Sequence, residues 1–243
     1  MKKALLLIFL LFTSLVHIYS SPGNVFNDSN VVNKKNKPSP GSVNLQEYLE
    51  VFYPVDDNAD YSITICADLP VNNNPKCVYK KGEPGHVFLV FSKQDKQTGE
   101  IISRSFGFYP RIPVTCLFKK TKSKILNNSG REYDADLQKK VTPEEFNLLL
   151  DTSLAIAKRK YNLKKFNCYE YAVEVFNSLP GIEKLPMTKV KLPFIFGNGG
   201  SPCALYRDLK KLSASGSVWA SSIRFGLFKS PGRVHQQNLV IVH

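Results

Sequence analysis

The order of the patterns along this chain is the strongest constraint on its fold. Runs in which apolar and polar residues alternate, or which are rich in β-branched and aromatic residues, come first, over 61–66, 87–91 and 101–109, and they predict β-strands. The polar segment 93–99 joins the last two of them, which favours an antiparallel hairpin. Helical patterns follow rather than alternate with these strands. The sequence therefore predicts an α+β fold with an antiparallel sheet.

The helical patterns begin at explicit capping residues. The sequence TPEE at 142–145 is a capping box with proline at the first helical position, and its apolar stripe predicts a helix to about residue 160. Ser201 is the expected cap of a helix over 202–212. Short strands are predicted over 222–228 and 239–242.

The first 20 residues have the pattern of a secretory signal peptide. Two lysines precede an apolar run over 4–12, and a polar stretch ends at Ser20, after which we expect cleavage. The run is shorter than the ~20 residues that span a bilayer, so no integral membrane segment is expected after processing. Residues 21–45 are predicted to be a flexible leader, and 46–243 a single domain, secreted or periplasmic.

The charge of the chain predicts an anionic partner. Removing the signal peptide takes away two lysines and no acids, which leaves a formal charge of +11. For an exported protein this favours an anionic cell-wall polymer or another anionic surface. Nucleic acid is not expected, because no basic run is interleaved with stacking aromatic residues. The chain has no CxxC or HxxxH spacing, so neither a metal site nor a cofactor is expected.

Five cysteines remain after processing, and an odd number in an exported chain indicates one free thiol. If Cys168 is free, the other four can form two disulfides in three ways. The turn over 72–75 favours a local bridge between Cys66 and Cys77. Cys116 would then pair with Cys203.

A thiol and a histidine are the best candidates for chemistry. Asn167 is a strong helix cap, so Cys168 is predicted to be the first residue of a helix that ends before Gly181. The exposed N–H groups and the dipole of a helix start lower the pKa of a thiol there and favour thiolate. His86 begins an apolar strand and is the candidate base.

Other interpretations of these two residues stay open. Cys168 could be a small buried residue or half of a disulfide, and His86 could be a histidine that serves packing. His235 is the alternative base, and it would follow the thiol in the sequence rather than precede it. His243 is the terminal residue.

Three motifs in this order, GHVFLVF, SRSFGFYP and FNCYEYAVEVF, resemble the circularly permuted papain-like hydrolases. That group includes NlpC-type cell-wall peptidases and lecithin:retinol acyltransferase-like enzymes, and the chain is also similar to exported bacterial proteins. The resemblance implies an antiparallel sheet packed against the helix that bears the nucleophile. It implies Cys168 as nucleophile, His86 as general base and Ser105 or Ser103 as the third residue. The helix start at Asn167 and Cys168 would supply an oxyanion donor.

The expected function is that of a secreted cysteine hydrolase that cleaves amide bonds, most simply in the peptides of the cell wall. A lipid acyltransferase or thioesterase is the alternative within the same chemistry. A non-catalytic, basic, disulfide-stapled binding module on the same fold is the alternative from another class.

Overall fold

The computed structural model describes residues 41–80, 84–192 and 197–232 of the chain. Seven strands form one sheet in the order β1-β5-β4-β3-β2-β6-β9, and every neighbouring pair is antiparallel. A second sheet contains only β7 and β8. The strands are β1 (Ser42–Val43), β2 (Ala59–Asp68), β3 (His86–Asp95), β4 (Ile101–Pro110), β5 (Ser123–Asn127), β6 (Glu132–Val141), β7 (Val190–Lys191), β8 (Asn198–Gly199) and β9 (Ile223–Lys229).

The described residues contain four α-helices, and three of them begin at the capping residues that the sequence predicts. They are α1 (Leu45–Leu49), α2 (Pro143–Ala157), α3 (Cys168–Asn177) and α4 (Pro202–Ala214). The Thr142 side chain accepts from the Glu145 N–H at 3.2 Å, and Ser201 accepts from Ala204 at 3.1 Å. Each cap satisfies an N–H that the helix itself cannot pair.

The two faces of the large sheet have different roles, because side chains alternate along each strand. Val87, Leu89 and Phe91 of β3 lie on the helix face, in the main core with the helices. There Phe146 of α2 packs edge to face on Phe52, with ring centroids 5.2 Å apart. A smaller cluster occupies the second face and contains Cys66, Phe88, Val90, Tyr133 and Phe228.

The α+β class, the hairpin of β3 and β4 and the three predicted helices are confirmed. The helix α2 ends at Ala157 rather than near residue 160, and α3 ends at Asn177. The predicted strand over 222–228 is β9, whereas the one over 239–242 lies outside the described residues. The strands β5 and β6 were not predicted.

The predicted C-terminal bound of the leader, residue 45, is wrong. Ser42 pairs with Leu126 of β5, and Leu45 already begins α1, so the fold starts before residue 46. Residues 1–20, the predicted signal peptide, lie outside the described residues. Within the described ranges, none of the helices has both the length and the apolar character that crossing a bilayer requires.

The disulfide prediction is corrected by the structure, in which all five cysteines are free thiols. Cys66 lies on the second face of the sheet, whereas Cys203 and Cys116 belong to the main core on the helix face. The neighbour of Cys77 is Cys203, whose thiol donates to the Cys77 carbonyl at 3.4 Å. Neither the Cys66–Cys77 nor the Cys116–Cys203 bridge is formed.

Candidate active site

The helix α3 begins at Cys168 because Asn167 is its N-cap. The Asn167 Oδ1 accepts from the Tyr169 N–H at 2.7 Å, and Glu170 Oε2 accepts from the Asn167 N–H at 3.0 Å. Together these bonds form a buried capping box. The nucleophile candidate is thereby fixed as the first helical residue, as the sequence predicted.

The turn at 197–200 is hydrogen-bonded to the start of α3 through Gly200. Asn167 Nδ2 donates to the Leu163 carbonyl at 2.9 Å and to the Gly200 carbonyl at 3.0 Å, while the Gly200 N–H donates to Glu170 Oε1 at 3.1 Å. A Cβ on Gly200 would lie only 2.0 Å from Cδ1 of Tyr169, so the close approach requires glycine. Both amide hydrogens of Asn167 are engaged, and its role is structural.

The Cys168 side chain lies against the beginning of β3. Cys168 is 9 % exposed, and the Val87 backbone N–H and the Tyr161 hydroxyl lie close enough to its sulfur to favour the thiolate. Val87 directly follows His86, so the thiol sits at the peptide bond next to the candidate base. The helix start and the first strand residue are therefore neighbours.

The electrostatics of Cys168 correct the expectation of a lowered pKa. Burial raises the pKa of the thiol to about 11, the nearby Glu170 carboxylate adds to the rise, and the Val87 N–H, Arg131 and Tyr161 oppose it. Desolvation of the anion exceeds the help from the N–H and the cation. At neutral pH the resting residue is a thiol.

His86 is almost fully buried, at 3 % exposure, on the second face of the sheet. Its ring stacks on Tyr109 of β4, with centroids 4.1 Å apart and an interplanar angle of 24°. Burial, and then the positive charge of Arg131, hold the pKa of the imidazole well below its usual 6.5. The ring is therefore neutral at physiological pH.

The Nε2 atom of His86 lies close to Asn128, a residue that the sequence did not single out. A Cβ on Gly107 would lie 2.2 Å from His86 Nε2 and 2.7 Å from Asn128 Oδ1, so these two atoms are within about 5 Å of each other. Both atoms are buried and have no hydrogen-bond partner. Asn128 follows β5 directly, and no local pattern in the sequence marks it as a site residue.

A network of polar side chains fixes Asn128 and the ring that stacks on His86. Asn128 Nδ2 donates to the Tyr109 hydroxyl at 2.7 Å, and Arg131 approaches the same oxygen at 3.4 Å. Arg131 also donates to Asp68 from Nε at 2.9 Å and from a terminal nitrogen at 2.6 Å. Asp68 is the residue of β2 opposite His86. Asn128, Tyr109, Arg131 and Asp68 thus form one connected cluster of four side chains beside the imidazole.

The two predicted orienting serines lie elsewhere. Ser105 is opposite Val90, four residues along β3 from His86, which is about 13 Å at the usual rise of a strand. Ser103 is opposite Ser92, and their hydroxyls are 2.8 Å apart. The Ser105 hydroxyl has no hydrogen-bond partner, so neither serine bonds the imidazole, and Asn128 is the nearer candidate for the third residue.

The structure thus brings Cys168, His86 and Asn128 to the end of the sheet where β3 begins. Cys168 approaches from the helix face, whereas the His86 ring lies on the second face and makes no hydrogen bond from Nε2. His235 and His243 lie outside the described residues. In the described ranges no group of three or more His, Cys, Asp or Glu side chains could hold a metal ion.

Comparison of the chain with protein-family models, with curated proteins and with solved structures finds no match in any of the three.

Proposed function

We propose that this chain is a cysteine hydrolase of permuted papain-like architecture that acts by acyl transfer through Cys168. One observation carries the proposal: the Cys168 sulfur lies near the N–H of Val87, the residue after His86 in β3, and the Asn128 amide oxygen lies within about 5 Å of His86 Nε2. Nucleophile, base and orienting group are the three parts that thiol catalysis requires.

The imidazole has a natural division of roles between its two nitrogens. Nε2 faces Asn128 Oδ1, which can accept an N–H and fix the tautomer and the ring plane. The proposal assigns the role of base to Nδ1, the other ring nitrogen, because the Cys168 sulfur lies near the N–H of Val87, one residue along β3. With Nε2 protonated, Nδ1 carries the lone pair that takes the thiol proton.

The reaction follows from this arrangement. His86 Nδ1 takes the proton of Cys168 while the sulfur attacks the carbonyl carbon of an amide, and the backbone N–H at the start of α3 stabilises the oxyanion. Collapse of the intermediate breaks the C–N bond, and His86 returns the proton to the leaving amine. Water, deprotonated by the same imidazole, then releases the acid from the thioester.

Because burial keeps both the thiol and the imidazole neutral, the proton moves during the attack rather than before it. This neutral resting pair differs from a preformed thiolate and imidazolium. It makes the orientation of His86 by Asn128 the main contribution that the site offers, since the ring must be aligned when the proton transfers.

The substrate class that fits best is the peptide amide of the cell wall. Support comes from the predicted export signal and from the formal charge of +11 that remains after it is removed, which favours an anionic polymer nearby. A lipid ester or thioester is the second substrate, since the acyl-thioester chemistry is the same.

A non-catalytic binding module is the rival function, and the low exposure of Cys168 favours it. Incubation with peptidoglycan, followed by measurement of newly formed amino groups, separates the two. The hydrolase proposal predicts amine release that Cys168→Ser abolishes and Cys77→Ser, at a half-buried thiol away from the site, retains. Equal release by the Cys168→Ser variant would refute the hydrolase proposal.

A further inference from the structure

Two segments beside the Cys168 site carry an unusual density of positive charge. Residues 111–124 and residues 157–166 each contain five lysines or arginines and no acidic residue. Together they hold ten of the 33 basic residues of the chain.

The two segments meet in space. Thr121 and Tyr161 exchange backbone hydrogen bonds, both of 2.9 Å, and the Ser123 hydroxyl donates to the Arg159 carbonyl at 2.7 Å. Exposed lysines from both segments therefore share one region, which we call the lysine surface. Its exposed members include Lys119, Lys120, Lys122, Lys158, Lys160 and Lys165.

The lysine surface also exposes large apolar side chains. Phe118 is 67 % exposed and Ile112 is 56 % exposed, and both belong to residues 111–124. Arg111 donates its N–H to the Lys122 carbonyl at 2.7 Å, so this segment folds back on itself and keeps both apolar residues near the lysines. In the described residues, Phe118 is the only phenylalanine exposed to this extent.

The lysine surface adjoins the candidate site. Tyr161 bonds Thr121 through its backbone and contacts the Cys168 sulfur through its hydroxyl. Cys116, in the same segment as Phe118, belongs to the main core. It is close enough to Cys168 for a thiolate there to raise the pKa of Cys116. A molecule held on the lysine surface is therefore held next to the thiol.

We propose that the lysine surface binds the headgroups of an anionic lipid bilayer, with Phe118 and Ile112 inserted between them. Lysines gain from the negative surface potential of a bilayer, and apolar tips gain from leaving water for its acyl boundary. A soluble polyanion would satisfy the lysines but would offer nothing to two exposed apolar side chains. The combination therefore favours a lipid surface over a dissolved polymer.

The binding does not depend on the thiol chemistry, because it can be measured without turnover. The probe is sedimentation of the full chain with vesicles of phosphatidylcholine alone or with ~30 % phosphatidylglycerol. All variants keep the apolar N-terminal residues 1–20, so any binding of these residues to the vesicles is the same in each variant. We expect binding to the anionic vesicles that is much stronger than to the neutral ones.

Variants of the lysines and of Phe118, each with a matched control, measure separately how charge and apolar insertion contribute to vesicle binding. Replacing Lys119 and Lys120 by Glu should weaken partitioning about 30-fold or more, and Phe118→Ser about 10-fold. The matched controls lie by α4, at the other side of the sheet: Lys210→Glu with Lys211→Glu, and Val218→Ser, at a residue that is 72 % exposed. Both controls should bind like the unchanged chain.

Each other outcome overturns the proposal. Loss of binding by the lysine variant with none by Phe118→Ser would identify a site for soluble polyanions. An equal loss of vesicle binding in the control variants would mean that binding depends on the net charge of the chain and not on the lysine surface. Absence of binding to anionic vesicles would exclude the lipid surface altogether.

Discussion

Gly107→Ala tests the close packing of the imidazole in the candidate site. The added Cβ would lie 2.2 Å from His86 Nε2, whereas ordinary contacts between such atoms are about 3.5 Å or longer. The methyl or the ring must therefore move by more than about 1 Å. The ring is held in place by stacking on Tyr109 and by its burial, so a displacement of this size should cost unfolding free energy.

Overpacking of this kind costs about 1–3 kcal/mol of unfolding free energy, and a displacement of about 1 Å in a catalytic group can lower a rate by about 100-fold. Urea unfolding measures the first, and the rate of Cys168 acylation by p-nitrophenyl acetate measures the second. Gly232→Ala is the matched control, because a Cβ there meets nothing within 4 Å.

A double variant keeps this prediction sharp even if Gly107→Ala is unstable. With His86→Ala in the background, most of the obstruction is gone, and Gly107→Ala should cost clearly less unfolding free energy than in the unchanged chain. The reasoning fails if Gly107→Ala changes neither stability nor acylation, or if its cost is the same with and without the His86 ring.

Three further outcomes follow from the charges of the structure. Because the folded pKa of His86 is below 6.5, the unfolded chain binds its proton more readily, so the unfolding free energy should fall below about pH 6.5, by up to about 1.4 kcal/mol per pH unit, and His86→Gln should remove this part in urea titrations. Because the Cys168 thiol has a raised pKa of about 11 in the folded chain, stability should fall as pH rises above about 9, and Cys168→Ala should flatten that decline. Arg224→Ala should cost about 3–5 kcal/mol in urea unfolding, since it removes the guanidinium that pairs with the fully buried Asp136 carboxylate, whereas Arg159→Ala, in an exposed pair with Glu174, should cost less than about 1 kcal/mol.

Local signals in the sequence were sufficient for the helices and the hairpin. Capping depends on residues within one turn, so Thr142, Asn167 and Ser201 marked three helix starts correctly. The strand β6 was missed because DADLQKK, over 134–140, contains buried acidic residues whose partners are distant in the sequence, as Arg224 is for Asp136. No local pattern reveals such partners.

The candidate site was predictable only in part for the same reason. Cys168 and His86 were found from a cap and an apolar strand, which are local features. Asn128 contributes through a close approach to His86 across β4, where Gly107 leaves the space, and this depends on strand order and register. The pKa of Cys168 also depends on its burial beneath neighbouring elements, which outweighed the helix-start effect that the sequence suggested.

The central claim is that Cys168, His86 and Asn128 act as one site. The most direct measurement is the rate of Cys168 acylation by p-nitrophenyl acetate, with the modified peptide located by mass spectrometry. We predict acylation at Cys168 that falls by about 100-fold or more in His86→Ala and by about 10-fold in Asn128→Ala, with Ser105→Ala within about twofold of the unchanged chain. A Cys168 rate that is indifferent to His86→Ala, or acyl groups found only on Cys77, would contradict the account.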